Sequence, residues 1–161
     1  MGRILKKRSV MILLALMLIM GLAPMTASAA PAERVTVGGV TMDSDNQYAV
    51  TENGTVKTEG ADQENYNIMF SEGTLYLRNA VIDAPVGSHG ISVDGDITID
   101  LSGENTVTGG DNIAPQDGTS DGVFATGEII ITGAFGGNGS LTALGGAAAY
   151  SGGIYSSGDD V

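Results

Sequence analysis

The chain has 161 residues, with 19 acidic side chains against seven lysines and arginines, a formal net charge of −12, and neither cysteine nor tryptophan. Lack of cysteine excludes disulfides, thiolate metal sites and a lipoprotein anchor. The acidity excludes binding of nucleic acid or anionic lipid through a basic surface.

The first thirty residues read as an export signal. Arg3, Lys6, Lys7 and Arg8 form a basic start, residues 10–22 are an apolar run, and Ala27-Ser28-Ala29 supplies a small-residue cleavage site. The run is shorter than the ~20 residues that span a bilayer, and an uncleaved anchor is the alternative reading. Cleavage after Ala29 or Ala30 predicts a secreted or cell-surface protein with no membrane insertion. It leaves Arg34, Lys57 and Arg78 against all 19 acids, a net charge of −16.

Residues 31–72 predict an N-terminal β cap. Residues 35–42 read as a strand, a Gly38-Gly39 turn and a second strand. Further strands are expected at 47–51, 55–58 and 65–70, with Asn53-Gly54 as a tight turn. This stretch carries no repeat, and stacked strands need a protected edge.

A repeat begins beyond it. Gly90-Ile91-Ser92-Val93-Asp94-Gly95 returns as Gly122-Val123-Phe124-Ala125-Thr126-Gly127 and again as Gly153-Ile154-Tyr155-Ser156-Ser157-Gly158. A fixed period with alternating apolar residues marks stacked strands. Three kinds of strand follow one another. The first is 74–78, 96–101 and 128–132, with Leu75/Leu77, Ile97/Ile99 and Ile129/Ile131 inward. The second is 80–83, 106–108 and 140–144, with Val81, Val107 and Leu141 as counterparts. The third is 90–94, 122–126 and 153–157, with Ile91/Val93, Val123/Ala125 and Ile154/Ser156.

The expected fold is all-β: a right-handed parallel β-helix of about three coils, three strands per coil, over residues 73–161. The coils are 73–95, 96–127 and 128–158, the later two lengthened by loops at 109–120, 133–139 and 145–152. An antiparallel sandwich is the alternative, since regularly spaced short strands also suit one. The third copy stops after Asp160, and an open parallel edge invites aggregation. That predicts a chain truncated at its C-terminus, the start of a longer protein.

Val37-Gly38-Gly39-Val40, Gly54-Thr55-Val56 and Gly73-Thr74-Leu75-Tyr76-Leu77-Arg78-Asn79-Ala80, continuing through 90–108 and 122–146, resemble carbohydrate-binding β-helix domains of exported and cell-surface proteins in Gram-positive bacteria. The fold of that family is similar to that of polysaccharide lyases. The resemblance covers most of 35–158 and implies a module whose partner is a polysaccharide or cell-wall glycan; with His89 alone and no G-x-S-x-G elbow, the residues themselves read as non-catalytic.

Sugar rings stack on flat apolar faces beside polar groups. Tyr76 and Arg78 share a phase opposite to Leu75 and Leu77 and should face outward, as should Tyr155; Tyr150 and Phe135 lie in long loops. Tyr76, Arg78, Tyr150 and Tyr155 are therefore the candidate carbohydrate-binding residues, each with the alternative of packing a turn. Asp96, Glu128 and Asp159 follow the repeated glycines and would stack as a carboxylate ladder able to hold Ca²⁺. Asp94, Asp121 and Asp160 can add ligands, and an exposed acidic stripe is the alternative. Asn79 and Asn105 are expected to stack as an internal ladder, Arg78 to pair with Asp100, and His89 to be an isolated turn residue. Two other functions compete: a structural stalk or adhesin segment, and a calcium-dependent lyase with Arg78 as base.

Overall fold

Three two-residue turns begin the structure, each built from residues held at positive φ. Strands β1 (Val35–Val37) and β2 (Val40–Met42) join through Gly38-Gly39 at +54° and +82°. Strands β3 (Tyr48–Glu52) and β4 (Thr55–Lys57) join through Asn53-Gly54 at +50° and +82°. Strands β5 (Ile68–Ser71) and β6 (Thr74–Arg78) join through Glu72-Gly73 at +49° and +72°. Positive φ at both central residues is the turn whose twist matches antiparallel strands.

After β6 the pairing rule changes. The computed structural model describes residues 30–111, 118–133 and 138–158, none of them helical. Strands β7 (Val81–Asp83), β8 (Ile91–Val93), β9 (Ile97–Ser102), β10 (Glu104–Thr108), β11 (Val123–Ala125), β12 (Ile129–Thr132), β13 (Ser140–Leu144) and β14 (Ile154–Ser156) follow in order. The chain visits three sheets in turn and comes back to each in the same direction. Parallel ladders join β6, β9 and β12, then β7, β10 and β13, then β8, β11 and β14. The protein is all-β, in sheets of six, three and five strands.

The antiparallel N-terminal strands lie against the first strand of each sheet. Strand β1 pairs with β8 and β5 with β6. At β7 the Asp83 N–H donates to the Gly54 carbonyl at 2.8 Å. Backbone groups that would otherwise face water unpaired are thereby satisfied.

One apolar core lies among the three sheets. Leu75, Leu77 and Ile99 from the six-stranded sheet, Ile82 and Val107 from the three-stranded, and Ile91, Val123 and Val37 from the five-stranded are all fully buried. The repeated glycines mark corners where backbones close on one another. A Cβ on Gly90 would lie 2.5 Å from the Gly122 carbonyl oxygen, and one on Gly122 would lie 2.6 Å from that of Gly153. No side chain fits there.

The registers correct three expectations. On the third strand kind the stack is as the repeat implies, Ile91 with Val123 with Ile154. On the second kind, Ile82 rather than Val81 stacks with Val107, and Ala143 rather than Leu141 follows it. Val81 points out, 46% exposed. On the first kind, Leu75 pairs with Ile99 and Leu77 with Leu101, two residues beyond the expected match. The Glu72-Gly73 turn occupies the level where an earlier pair would sit. The segment leading into β1 takes that place instead: Pro31 bridges Asp96, and the Ala32 N–H donates to the Asp96 carbonyl at 2.9 Å.

Asn79 and Asn105 do not form a ladder. Asn79 sits at the turn, with φ +50°, and its Oδ1 accepts from the Glu104 N–H at 3.1 Å. Asn105 lies level with Leu141, buried, its Oδ1 accepting from the Ala80 N–H and its amide donating to the Ser102, Gly103 and Ser140 carbonyls. A buried amide that answers all its polar groups fixes the corner between β9 and β10.

Two substitutions separate the enclosed layer from the last one. Ile99→Ala, fully buried between Leu75 and Ile131, should cost about 2–5 kcal/mol in urea unfolding. Ile131→Ala, at a side chain 42% exposed, should cost about 1 kcal/mol or less. Equal losses would contradict this layering.

Candidate functional site

The six-stranded sheet turns alternate residues outward, and its register sets them in rows. Tyr48 pairs with Met69, Met69 with Tyr76, Tyr76 with Asp100, and Asp100 with Thr132. This row crosses five strands, β3, β5, β6, β9 and β12. Alternation puts its members opposite the buried Ala49, Ile68, Leu75 and Ile99.

Around the row lies an aromatic and cationic cluster. The Arg78 guanidinium carbon stands 4.6 Å from the centroid of Tyr66. The Tyr66 ring in turn lies 5.3 Å from Tyr48, tilted by 51°. A guanidinium over a ring face is held by the ring quadrupole while its edge N–H groups remain free to donate. Arg78 is exposed and pairs in register with Ser102, not Asp100. The expected Arg78–Asp100 ion pair is absent because Asp100 is level with Tyr76, two residues away. Asp100 is only 6% exposed, and among the described residues no hydrogen bond or ion pair holds its carboxylate.

The other two candidate residues lie elsewhere. Tyr155 sits on β14 at the end of the five-stranded sheet, and Tyr150 on the segment before it, bridged to Thr119. Both are exposed, at 52% and 76%, and both line an open hollow. The sheets thus bring Tyr76 and Arg78 together, and Tyr150 and Tyr155 together, as two separate surfaces. Phe135 lies outside the described residues.

His89 is not isolated. Its ring stacks on Phe124 at 4.7 Å and 16°, and Phe124 stacks on Tyr155 at 5.9 Å and 13°. The His89 Nδ1 accepts from the Asp121 N–H at 3.0 Å and lies 3.3 Å from the Asp121 carboxylate. Asp121 is buried, and its Oδ1 also accepts from the Gly152 N–H at 2.7 Å. The signal that reveals this pair is the spacing: 32 residues separate His89 from Asp121. The same interval links Asp94 to Thr126, whose hydroxyl donates to it at 2.8 Å.

The expected carboxylate ladder has a different local role at its first step. Asp96 Oδ1 accepts from the Glu128 N–H at 2.8 Å, so it caps the backbone of the next round. Asp159 and Asp160 lie outside the described residues. Among the described residues no three His, Cys, Asp or Glu side chains converge as metal ligands.

No protein-family model, no curated protein and no solved structure matches the chain.

The histidine gives a pH test. Burial pushes the His89 pKa below its ordinary 6.5, with the Asp121 charge opposing more weakly. The unfolded chain therefore takes up the proton first as pH falls, so stability is full above about pH 6.5 and declines below it. His89 is the only histidine in the chain. The melting temperature should fall between about pH 7.5 and pH 5.5. His89→Phe, which keeps a ring on Phe124, should flatten that slope. An unchanged slope in the variant would refute the assignment.

Proposed function

We propose that this protein is an exported, non-catalytic polysaccharide-binding module, folded as a right-handed parallel β-helix of about three coils with residues 31–72 as its N-terminal cap. Three strands per coil, returning in parallel to three sheets, support that architecture. The glycan lies across the outer face of the six-stranded sheet.

The observation that carries the reading is the row Tyr48–Met69–Tyr76–Asp100–Thr132 with Arg78 and Tyr66 beside it. Four strand separations give the row a length of about 19 Å, enough for an extended chain of sugars. Tyr48, Tyr66 and Tyr76 are half-buried and leave part of their ring surface to contact the C–H side of a pyranose, while Arg78 donates to hydroxyls or a uronate. Asp100, between Tyr76 and Thr132, supplies a carboxylate acceptor. No buried side-chain oxygen among the described residues lacks a hydrogen-bond partner, so the Asp100 oxygens reach solvent and can accept from a sugar hydroxyl in place of water.

A glycan array on the wild-type protein and on Tyr76→Ala and Asp100→Asn tests the proposal. Binding to acidic or neutral polysaccharides should weaken at least tenfold in each variant. An array with no binding, or binding indifferent to both substitutions, overturns the reading and leaves the stalk. Repeating the array in calcium and in chelator reads the role of Asp96 and Glu128. Loss in chelator assigns them a Ca²⁺ ion, and retention leaves Asp96 as a backbone cap. Ultraviolet-absorbing unsaturated products, lost in Arg78→Ala, would instead establish a lyase.

A further inference from the structure

We infer that the hollow between Tyr150 and Tyr155 is a second saccharide subsite, separate from the six-stranded sheet and selective for an uncharged pyranose ring. The inference rests on the saccharide-binding reading above and adds a ligand class to it.

The hollow encloses about 530 Å³ and is lined by Thr119, Asp121, Tyr150, Ser151, Gly152 and Tyr155. Its two tyrosines leave large apolar ring surface in water, which favours an occupant with an apolar face. Neither ring carrier is loose. Tyr155 is backed by the stack of Phe124 and His89, with all three rings within 16° of their neighbours. The backbone of Tyr150 is bridged to Thr119, and its carbonyl accepts from the Ser120 N–H at 3.3 Å. Asp121 fixes the floor by holding the Gly152 N–H. A ring oriented before the ligand arrives, as Tyr155 is by its stack, loses less freedom on binding.

Charge decides the class of ligand. No lysine or arginine lines the hollow, and Asp121 is its one ionisable group besides the tyrosines. A uronate or sulfated sugar would meet a carboxylate with no cation to offset it. A neutral pyranose instead presents hydroxyls to Thr119, Ser151 and the tyrosine hydroxyls, and its flat C–H face to a ring. The sheet face with Arg78 has the opposite preference.

Saturation-transfer NMR on the full chain tests this with methyl glucoside and methyl glucuronide as probes. Arg78→Ala, which removes the cation of the sheet face, should transfer saturation to the glucoside and at least fivefold less to the glucuronide. Tyr150→Ala and Tyr155→Ala should each reduce the glucoside signal at least fivefold, while Val86→Ala, at an exposed residue outside both surfaces, should not. Tyr155→Phe keeps the stack and should retain the signal, which covers a fold that fails in the alanine variant. Glucoside signal that survives Tyr150→Ala and Tyr155→Ala overturns the subsite. So does a silent hollow in a protein whose polysaccharide binding falls in Tyr76→Ala, and there the sheet-face reading stands. Loss of polysaccharide binding altogether overturns both.

Discussion

The parallel main-chain ladder between successive rounds of chain sets the terms for everything else in this molecule. Once β9 lies on β6 and β12 on β9, each inward position must carry a side chain that fits directly on its counterpart one round earlier. Each corner must let two backbones approach. Leu75, Ile99 and Ile131 answer the first demand, and Gly90, Gly122 and Gly153 the second. The period also places polar side chains one round apart, which is how Asp96 reaches the Glu128 amide and Asn105 the Ala80 amide. Parallel strands expose unpaired edges, and the antiparallel hairpins of residues 31–72 meet that need at the first strand of each sheet.

This constraint explains which parts of the fold could be read in the sequence. The third strand kind was legible to the residue because a repeated glycine fixes its start in every round. The hairpin turns were legible because Gly38-Gly39 and Asn53-Gly54 are residue pairs that tolerate positive φ. The second strand kind was misread by one residue at Val81 and by two at Leu141, since Val81 and Ile82, like Leu141 and Ala143, are all apolar and nothing marks which lies level with Val107. The first was misread by two, because the Glu72-Gly73 turn and the Pro31 bridge trade places at that level. Alternation gives the phase of a strand; only its neighbours give the register.

The candidate surfaces show the same division. The outward phase of Tyr76 and Arg78 followed from alternation alone. That Tyr76 is level with Asp100, and that Arg78 rests on Tyr66, depended on registers and on an antiparallel neighbour far from the repeat. His89 looked isolated because its partner, Asp121, is a full period away rather than a few residues. In a stacked architecture the interval to search for a partner is the repeat length.

The two-residue offset between β6 and β9 is the most direct test of this account. A chain without cysteine allows a clean disulfide comparison. Thr74→Cys with Thr98→Cys places two thiols directly opposite, on strands about 4.8 Å apart. Thr74→Cys with Asp96→Cys sets them on a diagonal of about 8 Å, beyond the reach of a relaxed disulfide. Under mild oxidation the first pair should close within the monomer, and the second should stay reduced. Closure of the second pair and not the first would restore the register implied by the sequence repeat. It would also detach Asp100 from Tyr76 and remove the row on which the proposed binding face depends.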